Sequence, residues 1–347
     1  MQLSILNLVP VRAGQSYQQA MAAMVTLAQA AEAMGIERYW IAEHHNMKNL
    51  ASSATSLLIQ HTLAHTQTLR VGSGGVMLPN HSPYVVAEHY GTLETLYPRR
   101  VELGLGRAPG TDMRTAHALR RGRQSFDFPA EIAELRGYFD NRNPVSAYPS
   151  AGLDIPFYIL GSSTESAYLA AELGLPYAFA SHFAPRMLEM AVKIYRDHFK
   201  PSQHLAQPYV IVGVNAIVAD SDEEAAMLAT TQTQFFLNVV TNAQQDLQPP
   251  VADEEAVWRN HQKATQQPHF GPVDLSVLPI YSQERDVVEQ MTACSLVGSS
   301  ASVAQQLQNL RATVHFDEIM AVSYIFDEAK QQRSYQLLKA VVDQQPA

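Results

Sequence analysis

Short apolar stretches alternate with longer amphipathic stretches along most of the chain. The short stretches have the length and composition of buried β-strands, and the long ones have the apolar spacing of a helix that packs one face on a core. Strands are expected at residues 3–8, 38–41, 69–72, 100–105, 156–160, 177–180, 210–219 and 318–324. Strand–helix units in this order predict an α/β fold, a single-domain (β/α)8 TIM barrel over residues 1–347.

The first amphipathic stretch carries start and stop signals for a helix over residues 16–34. Ser16 can cap its first turn, and Gly35 can adopt the left-handed conformation that ends a helix. Residues 106–127 are expected to form a loop before a helix that ends near residue 139. The other helices are expected near residues 52–64, 84–96, 163–173, 185–199, 223–240 and 328–342.

One segment, residues 242–296, interrupts this alternation. It is rich in Gln, Pro and His, and Trp258 is an isolated aromatic residue within it. Long segments of this kind are commonly lids over a functional site. We therefore expect an insertion between strands seven and eight, a weakly apolar lid over the barrel opening.

Composition and charge restrict the possible partners. Hydrophobic residues make up 46% of the chain and charged residues 16%, which is typical of a globular protein. The formal net charge of −9 leaves no basic surplus to bind nucleic acid or an anionic membrane. A single cysteine, Cys294, excludes a disulfide framework or a thiolate metal site. Without a signal peptide or a long apolar run, we expect a cytoplasmic protein.

The residues that follow strand two are the strongest candidates for catalysis. A (β/α)8 barrel carries its active site at the carboxyl ends of its strands, where the chain reads Glu43-His44-His45. Histidine titrates near neutral pH and can donate or accept a proton. Adjacent side chains point in different directions, so one of the two histidines is expected to face the site. The alternative is a pair of histidines that only bond to the surrounding loops.

A second group of residues suggests an anion site between strands four and five. The chain Gly161-Ser162-Ser163 follows strand five, and Ser166 lies on the first turn of the next helix. Free N–H groups and hydroxyls at a helix N-terminus bind anions, and Arg107 at the end of strand four could pair with a phosphate there. The alternatives are simple helix capping by the serines and a surface salt bridge for Arg107.

Two other patterns are rejected. Gly104 and Gly106 imitate a dinucleotide fingerprint, but Pro109 stands where a helix should run, so we expect these glycines to give a cofactor room instead. His61 and His65 have the spacing of metal ligands but no third ligand nearby. No metal site is expected.

Several motifs together resemble the bacterial luciferase-like, flavin-dependent monooxygenases. They comprise Tyr39-Trp40-Ile41-Ala42-Glu43-His44-His45, the stretch 71–83, Glu102-Leu103-Gly104-Leu105-Gly106-Arg107, Gly161-Ser162-Ser163 with the stretch 173–176, and Leu296-Val297-Gly298-Ser299. The resemblance implies a homodimeric barrel that receives reduced FMN (FMNH2) from a separate reductase. With O2 it would oxidise an aldehyde or a related small hydrophobic molecule through a flavin C4a-peroxide.

The resemblance also implies roles for individual residues. His44 matches the catalytic histidine, with Glu43 beside the flavin ring. Cofactor binding would fall to Gly74, Gly75, Arg107, Leu160, Gly161, Ser162, Ser163 and Ser166, with a non-proline cis peptide at Gly74–Gly75. Two positions depart from luciferase: Gly106 replaces its reactive cysteine, and Ser162 replaces a glutamate. The first departure argues against light emission.

Two other functions remain open from the sequence. A relative that uses the deazaflavin F420 to transfer hydride would share the same phosphate and ring sites. A flavin-binding partner subunit without catalysis of its own is the second alternative, although such a subunit has no need of His44.

Overall fold

Eight parallel strands form a closed ring. The computed structural model describes residues 1–120, 126–265 and 280–345. The ring strands are β1 (Gln2–Asn7), β2 (Arg38–Ile41), β3 (Arg70–Met77), β4 (Val101–Gly106), β5 (Phe157–Gly161), β6 (Tyr177–Phe179), β7 (Val210–Ala219) and β9 (Glu318–Val322). The ring closes because β9 pairs with both β1 and β7, and β7 pairs with β6. The predicted (β/α)8 barrel is confirmed.

A further strand, β8 (Ser295–Ser299), lies outside the ring. It pairs in parallel with the second half of β7, from Asn215 opposite Ser295 to Ala219 opposite Ser299. The first half of β7 completes the ring by pairing with β9. Its second half extends beyond the ring and pairs with β8. The sequence pattern did not predict β8, because residues 295–296 fall within the segment expected to be a lid.

Twelve α-helices are present in the described part of the chain. They are α1 (Tyr17–Ala33), α2 (Thr55–Ala64), α3 (Pro83–Leu96), α4 (Met113–Leu119), α5 (Phe128–Phe139), α6 (Thr164–Leu173), α7 (Leu188–His198), α8 (Asp222–Thr241), α9 (Glu254–Thr265), α10 (Ile280–Thr292), α11 (Ser300–Thr313) and α12 (Glu328–Asp343). The signals at α1 act as predicted: Ser16 and Gln19 form a capping box, and Gly35 has a φ of +72°.

Two predicted loops contain helices. The expected loop at 106–127 includes α4, which Asp112 caps by accepting hydrogen bonds from the backbone N–H groups of Arg114 and Thr115. The expected lid at 242–296 includes α9 and α10, and its residues 266–279 lie outside the described residues. The apolar spacing of α9 and α10 is sparse, which is why the pattern did not predict helices there.

The inside of the barrel has a polar end and an apolar end. At the amino ends of the strands, the Arg38 guanidinium binds the carboxylates of Glu102 and Glu318. Above this ionic layer lies an apolar cluster that includes Leu6, Trp40, Ile211 and Met320.

The predicted lid segment packs on this apolar cluster. Its buried members from α9 and α10 are Val257, Trp258 and Val288, and Phe235 and Phe236 of α8 belong to the same cluster. The described part of the segment therefore packs on the barrel interior. We call the opening of the barrel at the carboxyl ends of the strands the barrel mouth. In the described ranges, no helix is both long and apolar enough to cross a membrane.

Candidate active site

Glu43 is the centre of a buried hydrogen-bonded group at the end of β2. Its Oε1 accepts hydrogen bonds from Nε2 of His45 at 2.9 Å and from Nε2 of His81 at 2.8 Å. The backbone N–H of Met77 donates to Oε2 at 3.3 Å. Burial alone would raise the pKa of Glu43, but the hydrogen bonds from the two histidines outweigh it and lower the pKa. The carboxylate is thus held charged by its neighbours.

The three side chains of Glu43, His45 and His81, which we call the Glu43 cluster, place their polar atoms within 4.8 Å of one another. Two imidazole nitrogens and a carboxylate oxygen are donors that a divalent metal ion can use. In this structure the same atoms already form hydrogen bonds with one another. The sequence pattern did not mark His81 as a partner of Glu43, because His81 follows β3 and only the folded barrel brings it to the end of β2.

His44 does not take part in the Glu43 cluster. Trp40 of β2 and Ala42 after it belong to the apolar cluster inside the barrel, and His44 follows two residues later, close enough for its charge to act on His182. Burial lowers the pKa of His44, and the negative charge of Glu43 offsets this only in part. His44 is therefore a neutral imidazole at pH 7 that faces the barrel mouth, while His45 is turned to the Glu43 cluster.

The expected anion site lies at the N-terminus of α6. Ser163 is the N-cap, and its Oγ accepts a hydrogen bond from the Ser166 N–H at 3.4 Å. The Ser166 hydroxyl donates to the Ser163 carbonyl at 2.7 Å and lies 2.9 Å from the Tyr177 hydroxyl. Capping therefore accounts for part of the serine pattern, as the alternative interpretation expected.

Arg107 lies beside the same helix N-terminus. Its side chain is exposed, and its charge contributes to the lowered pKa of Glu165, after the larger effect of a hydrogen bond from Ser163. The free N–H groups of α6, the Ser162 hydroxyl and this guanidinium form a donor set that suits a phosphate. The residues present therefore fit the phosphate of a flavin cofactor.

The glycines of β3 and β4 serve packing between strands. The Gly74–Gly75 peptide bond is cis, as expected. A Cβ at Gly75 would lie 3.1 Å from Leu160, which packs against this pair from β5. A Cβ at Gly104 would lie 2.2 Å from the Ser73 carbonyl oxygen, and one at Gly106 would lie 2.9 Å from Met77 Sδ. Both glycines therefore pack closely against β3, and the expectation that they make room for a cofactor stays a prediction.

The predicted site residues thus lie at one end of the barrel, on β2, β3, β4, β5 and the start of α6. Residues 1–315 match the family model of the luciferase-like monooxygenases. The chain belongs to the luciferase-like monooxygenase family. Membership in this family supports an oxidoreductase activity.

Relatives in this family match nearly the whole length of the chain. A protein of Escherichia coli strain K12 named luciferase-like monooxygenase is 44% identical over 346 residues, covering 98% of this chain and 97% of its own. The crystal structure of apo-MsnO8 is 31% identical with a TM-score of 0.83, covering 100% of this chain and 99% of its own.

Two more distant structures share the fold and differ in cofactor. The oxygenating constituent of 3,6-diketocamphane monooxygenase from Pseudomonas putida, in complex with FMN, is 17% identical with a TM-score of 0.68, covering 99% of this chain and 97% of its own. An F420-dependent secondary alcohol dehydrogenase is 14% identical with a TM-score of 0.64, covering 98% of each chain. The family fold therefore has both flavin and F420 neighbours.

Proposed function

We propose that this protein is a monooxygenase that uses reduced FMN and O2 to oxidise an aldehyde or a related small hydrophobic molecule. The observation that carries the proposal is the position of Arg107 beside the N-terminus of α6, at the same barrel end as His44. This arrangement supports a cofactor that has a phosphate at one end and a reactive group at the other.

The phosphate would be held by Arg107, by the hydroxyls of Ser162 and Ser163 and by the N–H groups of the first turn of α6. Ser166 contributes indirectly, because its hydroxyl bonds to the Ser163 carbonyl and to Tyr177 and so fixes the shape of the turn. Gly161 is part of that turn, since a Cβ there would lie 2.1 Å from the Ser166 Oγ.

The reactive end of the cofactor would lie toward His44 and the Gly74–Gly75 pair. Bound reduced FMN would supply the electrons that activate O2. A neutral His44 can accept a proton at a ring nitrogen during this chemistry and return it to the product. The helices α9 and α10, through Trp258 and Val288, would help keep water from the site.

The partners proposed for this reaction are a separate flavin reductase and a second copy of the chain. Family resemblance supports both. The protein would not need to bind FMN tightly, because another enzyme would supply the reduced cofactor.

An anaerobic titration tests the cofactor proposal. Reduced FMN and reduced F420 are added separately to the protein, and the absorbance change gives a dissociation constant for each. Air and a panel of aliphatic aldehydes then follow, with product analysis. Saturable binding of FMN and aldehyde-dependent oxygenation support the proposal, whereas binding of F420 alone with hydride transfer would replace it.

A His44→Ala variant tests the proton-transfer role. Because general acid–base catalysis contributes about 100-fold or more, we expect turnover to fall by at least that factor while FMN affinity changes little. His65→Ala, at an exposed position directly after α2, is the matched control. Wild-type turnover by the His44→Ala variant would remove His44 from the mechanism.

A further inference from the structure

A second histidine, His182, is built into the barrel mouth across from His44. It follows β6, which stands opposite β2 in the eight-stranded ring. Its ring rests on Gly213 of β7: a Cβ at that glycine would lie 2.4 Å from His182 Nδ1 and 3.2 Å from Cε1. Only a glycine leaves space for the ring to lie against this strand.

The backbone of His182 is fixed by two buried polar side chains. Asn215 of β7 donates a hydrogen bond from Nδ2 to the His182 carbonyl at 2.8 Å. The neighbouring Ser181 donates from Oγ to the Gly213 carbonyl. Both Asn215 and Ser181 are fully buried. Strand β7 thus positions both the backbone and the ring of His182, as a supporting shell positions a functional group.

The ring of His182 has no partner of its own. Its Nδ1 is buried without a hydrogen bond, and among the described residues the bond from Asn215 reaches only the carbonyl. Burial lowers the pKa of His182 to about 4, and the charge of His44 acts in the same direction. The imidazole is therefore neutral at pH 7, with one N–H donor. Because Nδ1 lies against Gly213 without an acceptor, the proton belongs on Nε2, which is left to donate a hydrogen bond to a ligand.

Buried apolar side chains lie below this histidine in the barrel. The cluster that contains Ala178 of β6 and Ile211 of β7 also includes Phe235 and Tyr324, whose rings stack at 4.3 Å. A single polar group above an apolar wall is the arrangement that orients a small molecule with a polar end and an apolar body.

We propose that His182 binds the substrate directly, donating a hydrogen bond from Nε2 to an oxygen of the substrate while the apolar part lies toward Ala178 and Phe235 of this cluster. This inference rests on the proposed function and names one residue that would select the substrate. A proton on Nε2 leaves Nδ1 with a lone pair that faces Gly213, so no N–H group is buried unpaired.

The test measures binding of two probes in the absence of flavin, 1-octanol and n-octane, which differ by one hydroxyl. His182→Phe keeps the ring shape and removes the hydrogen bond, and His182→Gln retains a donor. His198→Phe, at an exposed position on α7, is the control. Dissociation constants are measured for each variant, and the ¹⁵N resonance of the His182 Nε2 is followed in labelled wild-type protein.

We expect His182→Phe to bind 1-octanol about 10-fold more weakly and n-octane as the wild type does, which is the effect of losing one hydrogen bond. His182→Gln should recover part of the affinity, and only 1-octanol should move the Nε2 resonance. Equal affinity of wild type and His182→Phe for 1-octanol, or no binding of 1-octanol to the wild type, would overturn the proposal.

Gly213→Ala provides a second route if His182→Phe does not fold, because the added Cβ displaces the ring without removing it. It should weaken 1-octanol binding as His182→Phe does, and unchanged binding would count against the proposal. Since these arms contain no FMN, failure of FMN binding or oxygenation remains a separate result that concerns the proposed function.

Discussion

Nε2 of His81 donates a hydrogen bond to Oε1 of Glu43 at 2.8 Å and so ties the turn after β3 to the end of β2. His45 binds the same oxygen, and the Met77 N–H binds the other. A buried carboxylate with three donors is stabilised in its charged form and has little tendency to take up a proton. Glu43 thus fixes the backbone next to His44, the residue to which we assign the proposed proton transfer.

Glu43→Gln should destabilise the fold more than it impairs the chemistry. The variant loses the negative charge that strengthens its hydrogen bonds to His45 and His81, and such bonds contribute about 1.5–3 kcal/mol. We expect a loss of about 2 kcal/mol in the free energy of unfolding, measured with urea at neutral pH. Turnover should fall much less than in His44→Ala. A variant as stable as the wild type would contradict the anchoring role.

The lowered pKa of His182 predicts how stability depends on pH. Its pKa in the folded protein is about 4, below the usual 6.5, so the unfolded chain takes up a proton at a higher pH than the folded chain does. The stability it contributes is fully present above pH 6.5 and is lost as the pH falls toward 4.

His182→Phe should therefore lose less unfolding free energy than the wild type between about pH 7 and about pH 5. The lowered pKa of His44 acts in both proteins. Urea denaturation at the two pH values measures the difference, and the exposed His198→Phe should behave as the wild type. An identical decrease in all three proteins would contradict the burial of His182.

The ionic layer at the amino ends of the strands should be essential for stability. Glu102 binds Arg38 at 2.7 Å and the Trp40 Nε1 at 2.8 Å, and its side chain is 1% exposed. Removing one partner of a buried ion pair costs about 3–5 kcal/mol, so Glu102→Gln should lose about 3 kcal/mol of unfolding free energy. Glu37→Gln, whose partner is Arg70 and whose side chain is 73% exposed, should cost under about 1 kcal/mol. Similar losses for the two variants would rule out this layer as a stabilising centre.

The two glycines of β4 should differ in their tolerance of a methyl group. Gly104→Ala would place its Cβ 2.2 Å from a backbone oxygen of Ser73, which cannot move alone, whereas Gly106→Ala meets the flexible Met77 side chain. We expect Gly104→Ala to cost about 3 kcal/mol and Gly106→Ala about 1 kcal/mol or less in thermal or urea unfolding. If Gly106→Ala instead left stability unchanged and abolished FMN binding, the glycine would serve the cofactor after all.

Much of the barrel was predictable from the sequence because its strands are buried on both faces. Strands such as β7, with ten buried residues in succession, stand out from the amphipathic helices around them. The local signals at Ser16 and Gly35 were also sufficient to predict where α1 begins and ends. The helices α9 and α10 were not predictable, because their stability comes from a few residues, such as Trp258 and Val288, that pack on a distant cluster.

For the candidate site, the sequence predicted only which strand ends carry its residues. The position of Arg107 near α6 follows from β4 and β5 being neighbours, and the order of the strands predicts it. The bond between Glu43 and His81 and the contact between His182 and Gly213 depend on side-chain direction across the barrel. The periodicity of the sequence does not predict the direction of these side chains.

The central claim is that Arg107 and the N-terminus of α6 hold the phosphate of reduced FMN. Anaerobic titrations of wild type, Arg107→Ala and the exposed control Arg142→Ala with reduced FMN and reduced riboflavin, which lacks the phosphate, test it most directly. We predict that wild type and Arg142→Ala bind FMN at least about 10-fold more tightly than riboflavin, and that Arg107→Ala loses most of this preference while binding riboflavin as before. An undiminished preference for FMN in Arg107→Ala, or no preference in the wild type, would contradict the claim.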